Sequence, residues 1–346
     1  MVTIKDIARE ANVSVSTVSF ALNGTAPVAP ETKRRILEIV ERLQYQPSAS
    51  ARSLVTRKTN NIALFVPQPG KDMFHFAGNS LFSDLLQGIG EVLHERNYNL
   101  LLAWEHEKAA DEEMKALQMA KRKMTDGILL YNPENDEQLV KNLNKLHFPF
   151  VLLGKGNMEQ PVHRVDVDNF EAAFHNTTHL IKLGHKRIAF ISPGPLKYLV
   201  CSDRFDGYKE ALEAANIKFD EAYVYIGDDN ENSGYQAAAS FCGLKEKPTA
   251  IISGRDVQAV GILAYCAENQ LMVPDDVAIV SFENSELAVK HGITSLSTDV
   301  YKIGKEGTRL LLKNISRSRE SQPQNVVIPF ELHIRKTCGA WNDQEE

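Results

Sequence analysis

Four hydroxyls and one aromatic ring crowd the ten residues from Ser14 to Asn23: Ser14, Ser16, Thr17, Ser19 and Phe20. Small hydroxyls permit close approach and can bond phosphate oxygens or base edges. Phe20 cannot form a bidentate bond to guanine as Arg would, but its ring can pack on a thymine methyl. Further along, Arg52, Arg57 and Lys58 lie in QPSASARSLVTRKTNN and supply charge suited to phosphates. The patterns that carry enzymatic chemistry are missing: no GxGxxG after a strand, no GxxxxGK[ST], no GxSxG and no HExxH. The ten histidines are scattered, with no spacing that suggests a metal site. The sequence therefore points away from an enzyme, and no cofactor is expected.

Three short helices must position these groups. Thr3 and Asp6 cap a first helix with Ile4, Ile7, Ala8 and Ala11 on its apolar side. Asn12 and Val13 make a tight turn, Ser14 caps a second helix, and Gly24 ends it after Asn23. Val18, Ala21 and Leu22 mark the buried side of that helix, so Val15, Ser16, Ser19 and Phe20 face outward. Pro30 opens a third helix striped by Ile36, Val40 and Leu43. This is a helix-turn-helix, and the second helix is the one that enters a major groove. A three-helix cap with a surface aromatic is the plainer alternative.

Residues 48–55 allow two helical turns, too few to be stable alone. The segment is expected to fold against a partner surface, with Ala51 packing on a symmetry mate and Leu54 wedging a minor-groove step. A flexible linker is the competing reading. The candidate DNA-contacting set is thus Thr3, Ser14, Val15, Ser16, Thr17, Ser19, Phe20, Asn23, Ser48, Ala51, Arg52 and Leu54.

TIKDIAREANVSVSTVSFALNG, followed by VAPETKRRILEIVERLQYQPSASARSL, resembles the headpiece and hinge of the LacI/GalR family of bacterial transcriptional repressors. Three positions depart from the family pattern: Phe20 for its usual Arg, Ser48 for Asn, and Ala29 where a capping Ser is common.

From residue 61 strands and helices alternate: NIALFVP, SDLLQGIGEVLHERN, YNLLLAW, EEMKALQMAKRKM, DGILLY, DEQLVKNLNKL, FPFVLLG, and after VDVDN a second series ending in VAIVSF. Such alternation means parallel sheets with helices on both faces. QGIGEVLHERNYNLLLA and DGYKEALEAANIKFDEAYVY echo one another, which suggests two similarly built halves. LGHKRIAFI, SDRFDGYKEAL, KPTAIIS and VPDDVAIVSF extend the family resemblance over residues 2–338.

The resemblance implies an all-α helix-turn-helix headpiece plus an α/β effector domain of two Rossmann-like subdomains, periplasmic-binding-protein-like, type I. The expected division is headpiece 1–46, hinge 47–59, effector and dimerisation domain 60–338, and tail 339–346. Within the effector domain, one subdomain takes about 60–160 and 291–322 and the other about 161–290 and 323–338. Ligands of such sheets bind beyond the strands' carboxyl ends. On that basis and by the family's motifs, the candidate effector-binding residues are Phe82, Arg204, Asp229, Arg255 and Glu283. Phe82 flanks a pocket or sits in the core, and Arg204 reaches a ligand or pairs with Asp203 or Asp206. Arg255 stands where the family pattern has Asn, Glu283 where Asp is common, and Asp229 where several relatives carry a stacking aromatic. Met73, Phe74, His75 and Phe76 form a lid or pack on the surface.

The formal charge of −6 divides into +4 on residues 1–59 and −10 on the rest, a small basic module on an acidic body. Cys201, Cys242, Cys266 and Cys338 lie far apart and suit buried thiols in a reducing compartment. With no apolar leader and no membrane-length apolar run, the bacterial cytoplasm is expected. The expected partners are an operator in double-stranded DNA, a small effector such as a sugar or sugar phosphate, and a second copy. AWNDQEE at the end holds no heptad run, so the assembly is expected to stop at a dimer. A sugar receptor of the same fold without gene regulation is the alternative function.

Overall fold

The computed structural model describes residues 2–24, 26–45, 58–66, 80–104, 115–131, 137–155, 161–316 and 322–340. The chain divides into two compact units, residues 1–60 with 123–126 and residues 61–122 with 127–346.

In the first unit, three helices follow one another: α1 (Ile4–Glu10), α2 (Val15–Asn23) and α3 (Pro30–Arg42). Their apolar faces meet in one core of Ile7, Ala8, Ala11, Val18, Ala21, Ile36 and Ile39, with Leu22, Val40 and Leu43 packed around it. Helix α3 begins at Ala29 without a side-chain cap. Pro30 partly compensates, since the first turn needs no donor there. Gly24, at φ +67°, closes α2 in the left-handed conformation that glycine adopts without penalty.

The second unit contains two six-stranded sheets of matching design. The first is built from β1 (Asn61–Val66), β2 (Asn99–Trp104), β3 (Gly127–Tyr131), β4 (Phe150–Leu153), β5 (Arg164–Val167) and β11 (Asn325–Ile328), in the order β11-β5-β4-β3-β1-β2. The second uses β6 (Ile188–Ser192), β7 (Val224–Ile226), β8 (Ala250–Ser253), β9 (Ala278–Glu283), β10 (Thr294–Ser297) and β12 (Glu331–His333), in the order β12-β10-β9-β8-β6-β7. All pairings are parallel except β10 with β12. Strands such as IAFIS and AIVSFE are buried along their whole length, as parallel strands covered on both faces must be.

Helices α4 (Ser80–Glu95), α5 (Lys115–Lys121), α6 (Glu137–Lys145) and α12 (Val300–Ser316) join the first sheet. The second takes α7 (Asn169–Lys182), α8 (Leu199–Ala214), α9 (Glu231–Cys242), α10 (Asp256–Glu268) and α11 (Glu286–His291). The echo between the two halves has a structural basis. Gly88 in α4 and Gly207 in α8 each let another helix approach so closely that a Cβ would lie 2.1 Å from the Tyr301 carbonyl oxygen or 2.2 Å from that of Phe170.

The chain passes between the sheets at points other than those read from sequence. Strands β5 and β11 belong to the first sheet and β10 to the second, so the crossings follow residues 167, 297 and 328 rather than 160, 290 and 322. The displaced pieces are four-residue strands, too short to announce themselves by periodicity.

Candidate functional site

Helix α2 presents the first candidate site. Ser14 accepts a hydrogen bond from the Thr17 amide at 3.1 Å and shares a second with the Thr17 hydroxyl at 2.8 Å. These two hydroxyls therefore fix the turn. Thr3 is similarly engaged, its amide and hydroxyl donating to one Asp6 oxygen at 3.0 and 2.7 Å. Those bonds, the hydroxyl first, hold the Asp6 carboxyl below its ordinary value. With Val18 and Ala21 sealed in the core, Val15, Ser16 and Phe20 form the outward face, Val15 41% and Phe20 38% exposed. Ser19 is half-buried at its border, and Asn23 occupies the last turn. Ser48, Ala51, Arg52 and Leu54 lie outside the described residues, as do Met73, Phe74, His75 and Phe76. Residues 59 and 60 are tied down at Asp126, which accepts from the Thr59 amide (2.7 Å), the Thr59 hydroxyl (2.9 Å) and the Asn60 amide (2.9 Å).

The second candidate site gathers at the carboxyl ends of the second sheet's parallel strands, where α/β sheets bind ligands. Arg204, on the helix after β6, donates through Nε to Asn169 at 3.0 Å and through Nη1 to the Gly254 carbonyl at 2.8 Å. Its guanidinium lies 4.1 Å from the Phe282 ring centroid. Asp203 and Asp206 pair instead with Lys155 and Lys209, so neither ties Arg204 to the surface. Arg255, after β8, reaches Asp229 after β7 through Nη2 at 3.1 Å, and its Nε contacts Glu283 at the end of β9. Four strand ends thus deliver Arg204, Asp229, Arg255 and Glu283 to one place.

The framework beneath them is heavily constrained. Asp256 accepts from the Ser285 amide (2.7 Å), the Ser285 hydroxyl (2.8 Å) and the Ser295 hydroxyl (2.7 Å), which ties the start of α10 to the start of α11 and to β10. Glu283 adopts φ +107° and Asn284 φ +56°, two successive non-glycine residues in a region that disfavours side chains. Arg335 donates to Asn284 at 2.6 Å and helps hold that conformation. Strain retained by so many bonds is characteristic of sites where side-chain placement matters.

Electrostatics follow from burial. Burial pushes the Glu283 carboxyl up to about 8 against the opposing pull of Arg255. For Arg255, burial acts downward, but Glu283 and Asp229 together hold it above its ordinary range. Burial also lowers Arg204 to about 10 and raises Asp166, near the end of β5, to about 7. Tyr131, the last residue of β3, faces the same charges from the first sheet. Its hydroxyl is raised by burial and feels Arg255, Glu283 and Asp229.

Phe82 is 8% exposed within the first sheet's core, its ring 6.2 Å from that of Tyr131. Tyr131, which feels these charges, was missed by sequence reasoning, along with Asn169, Asp166 and Asp256. Their signal was position alone: each stands at the carboxyl end of a strand or opens the helix that follows. Among the described residues no group of His, Cys, Asp and Glu could hold a metal ion, and no helix is long and apolar enough to cross a membrane.

Residues 3–48 match the model for bacterial regulatory proteins of the lacI family, and residues 177–338 match a periplasmic binding protein-like domain. The chain is 32% identical to Catabolite control protein A of Priestia megaterium over 97% of this chain and 99% of that protein. It is 31% identical to the HTH-type transcriptional repressor PurR of Escherichia coli, covering 98% of this chain and 97% of that one. Among solved structures, the transcriptional regulator CelR–cellobiose complex superposes with a TM-score of 0.72 at 28% identity, covering 97% and 100% of the two chains. The lac repressor dimer bound to operator and the anti-inducer ONPF reaches 0.82 at 20% identity, covering 97% and 99%, a likeness of fold. With a helix-turn-helix at its front, paired parallel sheets behind and relatives that are regulators rather than enzymes, the chain belongs to the LacI family of bacterial transcriptional regulators.

Proposed function

We propose that this protein is a ligand-responsive repressor of carbohydrate-utilisation genes that binds a pseudo-palindromic operator as a homodimer in the bacterial cytoplasm. The observation that carries the reading is the outward face of α2, where Val15, Ser16 and Phe20 stand exposed over a turn fixed by Ser14 and Thr17. A twofold dimer presents two such helices to neighbouring half-sites. The hinge, with Ser48, Ala51, Arg52 and Leu54, folds on the operator and wedges its central minor-groove step, where the bend is repaid by added contacts. Phe20, in place of an arginine, gives preference to thymine at its half-site position.

The effector binds at the strand-end cluster of Arg204, Asp229, Arg255 and Glu283, with Tyr131 opposite. A sugar-type ligand is supported by the cellobiose-bound structure of a 28% identical regulator. Binding there changes the angle between the sheets, and with it the hinge's folding equilibrium. We divide the chain into headpiece 1–46, hinge 47–59 and effector domain 60–338, with an eight-residue tail.

The test is selection of bound sequences from a random duplex library with the purified full chain, with and without a pool of small metabolites. An enriched palindrome supports the repressor. Failure to enrich any sequence under either condition, alongside tight sugar binding, would favour a receptor of the same fold.

A further inference from the structure

We infer that the effector of this chain carries an anionic group, carboxylate or phosphoryl, seated between Arg204 and Arg255. The inference rests on reading the strand-end cluster as the effector site and deepens it by naming the ligand's charge.

The hydrogen-bonding capacity left at the cluster decides the matter. Its acceptors are largely used: Glu283 by Arg255 and the Asp256 amide (3.4 Å), one Asp229 oxygen by Arg255 (3.1 Å), and Asn169 Oδ1 by Arg204 (3.0 Å). Among the described residues, Asp229 Oδ1 and Asp166 Oδ2 remain as carboxylate acceptors. Its donors are used only in part: Arg204 Nη2 and Arg255 Nη1 have no partner among the described residues. Arg204 Nη1 bonds the carbonyl of Gly254, the residue before Arg255, and the Arg255 charge acts on Arg204. An oxyanion between them would take charge-assisted bonds from both.

A further feature favours an anion over a neutral group: burial moves Asp166 towards its neutral form, which lowers the repulsion an anion meets. The remaining acceptors suit hydroxyls on the ligand's body, so a sugar phosphate and a sugar acid both satisfy the site.

The experiment uses the full-length protein at fixed ionic strength, with calorimetric and thermal-shift titrations of glucose, glucose 6-phosphate, glucuronate and inorganic phosphate. We expect the anionic probes to bind about tenfold or more tightly than glucose, the preferred one of the two sugars telling phosphoryl from carboxylate. Arg255→Asn supplies a good N-cap, so the helix is retained, yet it should erase that preference. Arg255→Lys should restore it partly, since the charge returns without the planar fork. Glucose binding as tight as its phosphate, anion binding unchanged in Arg255→Asn, or no anion binding at all would overturn the inference. Operator titrations keep the two readings apart. A neutral sugar that alters operator affinity upholds the effector site and rejects the anion, whereas an anion that binds without altering it upholds the anion site alone.

Discussion

Asp166 shows how much a single side chain near the cluster reports. Burial, aided by Asp203, raises its carboxyl to about 7, so the folded state binds a proton that the unfolded chain releases near its ordinary value. Stability from this group is therefore full below about pH 4 and is lost as pH rises through about 7. Asp166→Asn keeps the oxygen that accepts from the Val167 amide but cannot ionise. We expect it to leave stability unchanged near pH 4 and to raise it by on the order of 1–2 kcal/mol at pH 8, a figure reduced for partial exposure. Thermal unfolding across that range checks it, and a difference independent of pH would contradict the assignment. The residues of this cluster were unequally legible. Arg204, Asp229, Arg255 and Glu283 could be named because they fall on the family's motifs, in the segments at the carboxyl ends of strands. Tyr131 and Asn169 could not, because only the folded sheets bring them to charges more than thirty residues away in sequence.

Among the elements, helix α4 offers a sharp internal comparison. Gly88 lies where an added Cβ would strike the Tyr301 carbonyl on α12 at 2.1 Å, while Gly90, two positions on, meets nothing within 4 Å. Gly88→Ala must push two helices apart and should cost about 2–4 kcal/mol. Gly90→Ala gains helix propensity and should be neutral or stabilising by up to about 1 kcal/mol. Urea denaturation followed by circular dichroism separates them, and equal effects would refute the packing. The long elements were readable because their apolar periods are long. The short strands RVDV, TSLS and NVVI were not, since runs of four residues look like connections. That is why the crossings between sheets were misplaced while the two-sheet architecture was not. The missing cap at Ala29 was visible in sequence and stands in the structure.

For the molecule as a whole, the charge division sets the terms of DNA binding: residues 1–59 carry +4 and the remainder −10. On the proposed function, the basic module supplies the salt-dependent, sequence-independent part of the affinity, and α2 and the hinge supply discrimination. If Leu54 wedges the central step, Leu54→Ala should weaken operator binding about tenfold or more and leave affinity for random duplex almost unchanged. Equal losses on both, in parallel fluorescence-anisotropy titrations, would reject the wedge. The most direct test of the central claim is the ratio of affinities for the selected palindrome and a scrambled duplex at one salt concentration. It should be measured for the wild type and for a variant with Val15, Ser16 and Phe20 all replaced by alanine. The exposed face of α2 leads us to expect a wild-type ratio of about 10³ or more that collapses towards unity in the variant, whose headpiece core is untouched. A wild-type ratio near unity, or a ratio that survives the triple replacement, would contradict the account.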